Sequence, residues 1–286
     1  MSAGVALSHA RKAQSKSLLP VHAETCPHYL YLLSSRIAGT CWPLADEHSH
    51  QDDWAGASHI CAPPLRHDER DLQGVWDSIN NGTVTVISSD HAASLYNDLG
   101  GKRKPLVDAQ ANNSVPTFAQ VPNGLPGLET RLPLLFDAAT NPGVKLERRI
   151  SLPKFVALTS TNAAKLYGLS GKKGSIAPGY DADLVIWYPK DHADARTTIT
   201  NDSLHHCIDY TPFEGQQVCN WPRRVFLRGE LKFDRDLELK DGYGKGVLGK
   251  SDEGMYLKRG KGEVLVGRVG QEPVGMMADE RSSWID

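Results

Sequence analysis

The chain has 286 residues, a formal net charge of -2, 40% hydrophobic and 23% charged residues, the balance of an ordinary globular protein long enough to bury a large core in one or more domains. Near-neutral charge offers no electrostatic argument for nucleic acid or an anionic membrane surface, and no apolar run approaches the roughly 20 residues of a membrane-spanning helix, so neither partner is expected. Cys26, Cys41, Cys61, Cys207 and Cys219 are odd in number and lack CxxC spacing, which argues against a disulfide framework or a zinc knuckle and suits a reducing cytosol.

Residues 1–20 carry Arg11, Lys12, Lys16, several serines and no acid, a composition shared with transit peptides. Val5, Leu7 and Ala10 ahead of a short loop and a strand-like stretch at 21–26 favour a helix feeding a strand instead. Residues 45–58 hold Asp46, Glu47, His48, His50, Asp52 and Asp53 and read as a solvated loop, while Pro63-Pro64 forces an extended backbone at 59–66. A helix over 71–79 and the turn Asn80-Asn81-Gly82 lead into Thr83-Val84-Thr85-Val86-Ile87. That unbroken β-branched run predicts a strand buried on both faces of a parallel sheet.

The strand ends in Ser88-Ser89-Asp90-His91. An acid there has two readings: Asp90 caps the following turn, or it stands at the end of a barrel strand, where chemistry gathers. The long Gly-, Pro- and Asn-rich segment up to Gly127 supports the second, because loops of that length in compact domains are usually functional or disordered, and makes Asp90 the leading catalytic candidate. Asn123 within Val121-Pro122-Asn123-Gly124 is a turn signal; its functional reading is a loop that holds a planar amide through its backbone. On the residues alone the turn prevails.

Helical spacing covers 125–139 and 152–167, the second stopping before Gly168. Residues 174–187 and the surroundings of 224–229 then read as short strands with polar turns, and the stretch from 237 as an extended arm or disorder. The division expected is a barrel part at 1–168, a β domain at 169–235 and an arm at 236–286. The match of residues 244–251, GKGVLGKS, to the phosphate-binding pattern G-x-x-x-x-G-K-[ST] lacks the strand before it and the helix after it, and reads as a glycine-rich tail. His22, Cys26 and His28 could pass for a metal cluster, but Pro27 bends the chain between two of them and a self-contained zinc site wants four ligands, so satisfied core or loop residues are the preferred reading. His48-Ser49-His50 and His205-His206-Cys207 read as surface residues.

Seven segments stand in an order that changes this weighing: AETCPHYLYL at 23–32, CAPPLR at 61–66, SSDHA at 88–92, VPNGLPGLETRLPLLF at 121–136, TSTNAAKLYGL at 159–169, KGSIAPGYDADLVIW at 173–187 and DYTPFEG at 209–215. Over about residues 1–235 the chain resembles the cyclic amidohydrolases, and most closely the dihydropyrimidinases and D-hydantoinases. The resemblance implies an α/β fold: part of a metal-dependent-hydrolase TIM barrel, followed by a portion of a β-sandwich and a tail. It also implies hydrolysis of a small cyclic amide, two divalent metals, usually Zn2+, bridged by a carboxylated lysine and hydroxide, and a homo-oligomer, a tetramer in the complete family. By the same resemblance Asp90 would bind one metal and act as general base, and backbone groups at Ala62 and Asn123 would hold substrate. Where many relatives have Ser, this chain has Ala62, a tolerable change if only the main chain touches substrate.

The family's H-x-H pair, bridging lysine, substrate tyrosine and two further histidine ligands would precede AETC. The expectation is therefore an incomplete barrel, the C-terminal part of such an enzyme, inactive alone. An allantoinase-like hydrolase and a non-catalytic scaffold or pseudo-subunit are the alternatives.

Overall fold

The structure, a computed structural model, describes residues 1–16, 21–37, 54–97 and 100–262. The readings placed on Cys41, on the charged stretch 46–53 with His48 and His50, and on the last residues of the tail lie outside the described residues.

Helix α1 (Gly4–Lys16) turns Leu7 and Ala10 inward and leads to strand β1 (Ala23–Thr25) and the short helix α2 (His28–Tyr31). Helix α3 (Glu69–Asn80) starts at Asp68, whose carboxylate accepts from the Arg70 N–H, and buries Leu72, Val75, Trp76 and Ile79 on one face. Its Gly74 meets Gly4 of α1 so closely that a Cβ on Gly74 would lie 2.9 Å from the Gly4 Cα. Strand β2 (Val84–Ile87) pairs in parallel with β1, Ala23 opposite Val84 and Thr25 opposite Ile87, and is buried at every position. This is the strand read from the β-branched run, and its Val84 and Ile87 share a core with Leu7 of α1, Val75 and Trp76 of α3 and Leu158.

Helix α4 (Lys104–Ala111) follows the loop after Asp90, and α5 (Arg131–Thr140) the PNG loop. The helix expected from residue 125 begins only at Arg131, because the backbone ahead of it is engaged elsewhere: Leu125 bridges His91, and the Gly127 and Leu128 N–H groups donate to the His91 ring Nδ1. The helix expected over 152–167 is α6 (Leu152–Val156) and α7 (Asn162–Leu166), joined by a wide turn of π-helix at Ala157–Thr161. The wide turn precedes Asn162, whose buried Nδ2 donates to the Thr85 carbonyl of β2 at 2.9 Å.

Strands β3 (Leu184–Trp187), β4 (Thr197–Thr198), β5 (Gln217–Val218), β6 (Pro222–Leu227) and β7 (Glu230–Asp234) follow, and then helix α8 (Arg235–Asp241). β3, β6 and β7 form an antiparallel sheet in the order β3-β6-β7, and β4 pairs with β5. The arm expected from 236 thus opens as a helix, its first turn fixed by the Asp234 carboxylate accepting from the Asp236 N–H.

Two cores hold the chain. One packs Leu7, Trp76, Ile79, Val84 and Ile87 against Leu135, Phe155 and Leu158. The other joins Cys26, Tyr29, Leu32 and Leu125 to Ile199, Phe213, Val218 and Trp221. The second core crosses the boundary expected at residue 168, so β4, β5 and the DYTPFEG segment share their apolar packing with the barrel part. Among the described residues the parallel sheet consists of the two strands β1 and β2.

Candidate functional site

Strands β1 and β2 run parallel, so the residues just beyond them emerge at one end of the fold. After β1 come Cys26, Pro27 and His28; after β2 come Ser88, Ser89 and Asp90. Asp90 adopts φ +48°, a left-handed backbone that Asp tolerates better than most residues and that turns its exposed carboxylate back over the strand ends. Pro27 does not carry His28 away from Cys26. It opens α2, and the Cys26 Sγ, a His28 ring nitrogen and an Asp90 carboxylate oxygen all lie within 4.8 Å of one another.

This corrects the reading of His28 as a satisfied core residue. Its Nε2 is buried without a hydrogen-bond partner and stands 3.9 Å from the Asp90 Oδ2, beyond hydrogen-bonding distance. Burial draws the His28 imidazole down to about 4, only partly opposed by the Asp90 charge. Burial also pushes the Cys26 thiol up to about 11 against the lowering effect of the Ser88 hydroxyl 3.5 Å away. The two are therefore a neutral thiol and a neutral imidazole, not the ion pair of an activated cysteine nucleophile. The signal for this grouping was available: Cys26 and His28 follow a strand end, as Asp90 does.

The other two sequence candidates lie on loops tied to this end. The Gly124 N–H, next to Asn123, donates to the Ile60 carbonyl at 3.2 Å, which fastens the PNG loop to the segment leading into Ala62. Gly124 sits at φ +114°, and a Cβ there would fall 1.7 Å from the Ala92 carbonyl oxygen, so the Asn-Gly pair serves a turn pressed against the chain two residues past Asp90. Ala62 and Asn123 are both exposed. Ala62-Pro63 is cis, and the Tyr29 hydroxyl donates to the Pro63 carbonyl at 2.7 Å. The structure thus gathers the Asp90, PNG and CAPP segments around one end of the parallel pair.

Lys102, which no sequence pattern singles out, locks the same loops. Its side chain is fully buried, and Nζ donates to the Ile60 carbonyl at 3.1 Å and the Pro122 carbonyl at 2.8 Å. Burial lowers its pKa to about 8, against a smaller upward pull from Cys61. The Asp209 carboxylate accepts from the Tyr96 and Asn97 N–H groups, and the Tyr210 hydroxyl donates to the Gly124 carbonyl at 3.4 Å. DYTPFEG therefore braces both the loop after Asp90 and the PNG loop.

His205 departs from the surface reading. Its two ring nitrogens face Glu129 at 3.0 Å and Glu238 at 2.9 Å, and its ring stacks on Tyr243. Glu238 also accepts from the Gly244 and Gly246 N–H groups. These are backbone donors that a phosphate cradle at 244–251 would need, and among the described residues no helix follows them.

The amidohydrolase family model matches residues 9–232. The chain belongs to the amidohydrolase family. It is 32% identical over 255 residues to the D-hydantoinase of Ralstonia pickettii, covering 89% of this chain and 46% of that protein. It is 34% identical over 259 residues to a D-phenylhydantoinase of Escherichia coli, covering 91% and 46%. Among solved structures, the dihydropyrimidinase of Brevibacillus agri superposes with a TM-score of 0.72 at 30% identity, over 92% of this chain and 48% of that one, and a D-hydantoinase with a TM-score of 0.71 at 31% identity, over 91% and 47%. This amidohydrolase chain spans about half the length of the relatives it matches.

The family resemblance implies a divalent metal at this end of the fold. The unpartnered His28 Nε2 beside Cys26 and Asp90 is a donor set fit for one divalent ion. It does not fit a pair of ions, which needs more ligands than three side chains provide.

Proposed function

We propose that this chain provides the base-bearing half of an active site that opens small cyclic amides, rings of the dihydropyrimidine or hydantoin type. The observation that carries the reading is the convergence of Asp90, the PNG loop and the CAPP segment at the end of the β1–β2 pair, in a chain of this family. Asp90 acts as general base toward the attacking water and returns the proton to the departing ring nitrogen, a role suited to an exposed carboxylate held by a fixed backbone. Backbone groups at Ala62 and Asn123 hold the ring amide, and Lys102 keeps those two loops in register. A bound divalent cation, Zn2+ in this reading, supplies Lewis-acid polarisation of the amide carbonyl and a more acidic water. The half-exposed β3-β6-β7 sheet, with Val185 and Ile186 at 38% and 44% exposure, supports its assignment as part of a sandwich completed by further strands. Tetrameric assembly follows the same family logic. The free Cys26, Cys61, Cys207 and Cys219 support a reducing, cytosolic setting, and no helix among the described residues is long and apolar enough to cross a membrane.

The test is ring opening of dihydrouracil and hydantoin by this chain co-expressed with the part of a D-hydantoinase that lies outside the matched region, in the presence of Zn2+. Hydrolysis is expected from the assembled pair, with a loss of at least about 100-fold on Asp90→Asn, the scale of general-base catalysis; the chain alone gives none. Turnover by the purified chain alone defeats the half-site reading, and a folded assembly without turnover defeats the hydrolytic one.

A further inference from the structure

We infer that Cys26, His28 and Asp90 form a three-ligand site for a thiophilic divalent cation of the zinc class on this chain itself. The family-implied ligand set contains Asp90 but neither Cys26 nor His28, and the inference stands whether or not the hydrolytic reading does.

Three observations carry it. The ligand atoms already lie within 4.8 Å of one another, with His28 Nε2 and Asp90 Oδ2 at 3.9 Å. Zinc bonds of about 2.0 Å to nitrogen or oxygen and about 2.3 Å to sulfur place tetrahedral ligands roughly 3.3–3.8 Å apart. The His28–Asp90 edge at 3.9 Å needs only a small contraction, which the exposed Asp90 side chain is free to supply. The two other ligands are buried, Cys26 at 5% and His28 at 3% exposure. The His28 Nε2 has no protein partner, and a buried ring nitrogen left unpaired is costly enough to require an explanation.

The chemistry of the donors selects the ion. One thiolate, one imidazole and one carboxylate make a borderline-soft set that favours zinc over magnesium or calcium, which take oxygen ligands. Binding displaces the Cys26 thiol proton to solvent, and the resulting thiolate and the carboxylate together balance a charge of two. Three protein ligands would leave a fourth position for water or a further molecule, the ligand count that distinguishes open sites from closed structural ones. The Ser88 hydroxyl, 3.5 Å from Cys26 Sγ and donating to the Glu24 carboxylate at 2.6 Å, and the Tyr29 ring edge against His28 at 4.1 Å fix the two buried ligands from behind.

Cobalt titration of the reduced, metal-free full chain reads the site without any enzymatic assay. A thiolate-to-cobalt charge-transfer band in the near ultraviolet should grow to saturation at one equivalent and be displaced by Zn2+. Cys26→Ser should abolish the band, whereas Cys219→Ser, at a thiol beside Thr140, should keep it. His28→Gln and Asp90→Asn should each weaken cobalt binding by more than about tenfold, the scale on which even outer partners of a metal site act. Absence of the band from the wild-type chain, its survival in Cys26→Ser, or full affinity in both His28→Gln and Asp90→Asn overturns the inference. The first of these outcomes does not depend on any variant folding.

Discussion

Lys102 shows how much one side chain can decide. A lysine with no solvent exposure is uncommon, and this one is retained because its ammonium group ties the Ile60 and Pro122 carbonyls together at the base of the CAPP and PNG segments. The Tyr210 ring lies 6.0 Å from Nζ and adds a further favourable surface for the charge. Lys102→Met preserves the volume and leaves two carbonyls without their donor. A stability loss of about 3 kcal/mol is expected, the cost of leaving such groups unpaired when a charged partner is removed. Denaturant unfolding checks the magnitude, and amide exchange at Gly124 checks the location, since its bond to Ile60 should open more often. A change below about 0.5 kcal/mol, the range of ordinary surface substitutions, refutes the clamp.

At the scale of elements, helix packing turns on small residues that carry no catalytic signature. α1 and α3 cross with the Gly4 and Gly74 backbones in contact, and a Cβ at Gly74 would stand 2.9 Å from the Gly4 Cα. Two effects of Gly74→Ala oppose each other. The gain in helix propensity is about 1 kcal/mol, while forcing the helices apart in a packed core costs about 1–3 kcal/mol. Because the contact is with rigid backbone, the second prevails and a lower melting temperature is expected. Gly254→Ala, with open space around the added methyl, is the matched control; equal melting temperatures for the two variants would remove the packing argument. Elements whose burial is written into a local pattern were legible from sequence: the β-branched run became β2, and the Leu72, Val75, Trp76 and Ile79 spacing became α3. The false extension of α5 back to residue 125, and the single helix drawn through 157–161, came from apolar spacing that ignored long-range bonds. His91 and Leu125 claim the first backbone, and Asn162 reaching Thr85 accompanies the wide turn in the second. The candidate site is legible in part for the same reason: Asp90 stands at a strand end, Pro27 in the sequence argues against grouping Cys26 with His28, and Lys102 has only tertiary partners.

At the scale of the whole molecule, two histidines with opposite environments set how the assembly responds to pH. His205 joins the turn before α5, through Glu129, to α8, through Glu238. Its burial alone would lower its pKa, but the hydrogen bonds to the two carboxylates prevail and raise it above 6.5. A base with a raised folded-state pKa contributes stability fully below its unfolded value of 6.5 and loses it as pH rises through the folded value. His59 behaves in reverse. Burial, with the Arg36 charge adding to it, draws its pKa down to about 4, against an upward pull from the Pro212 carbonyl, which accepts from the imidazole. The unfolded chain then takes up a proton that the folded one refuses, and stability falls as pH drops from 6.5 toward about 4. Thermal melts across this range should therefore show two limbs separable by mutation. His205→Gln should flatten the decline above 6.5 while leaving the acid limb in place, and His59→Gln should make the acid limb shallower without removing it, because His28, also drawn down to about 4 by burial, supplies part of it. If both variants keep both wild-type slopes, neither histidine governs the limb assigned to it.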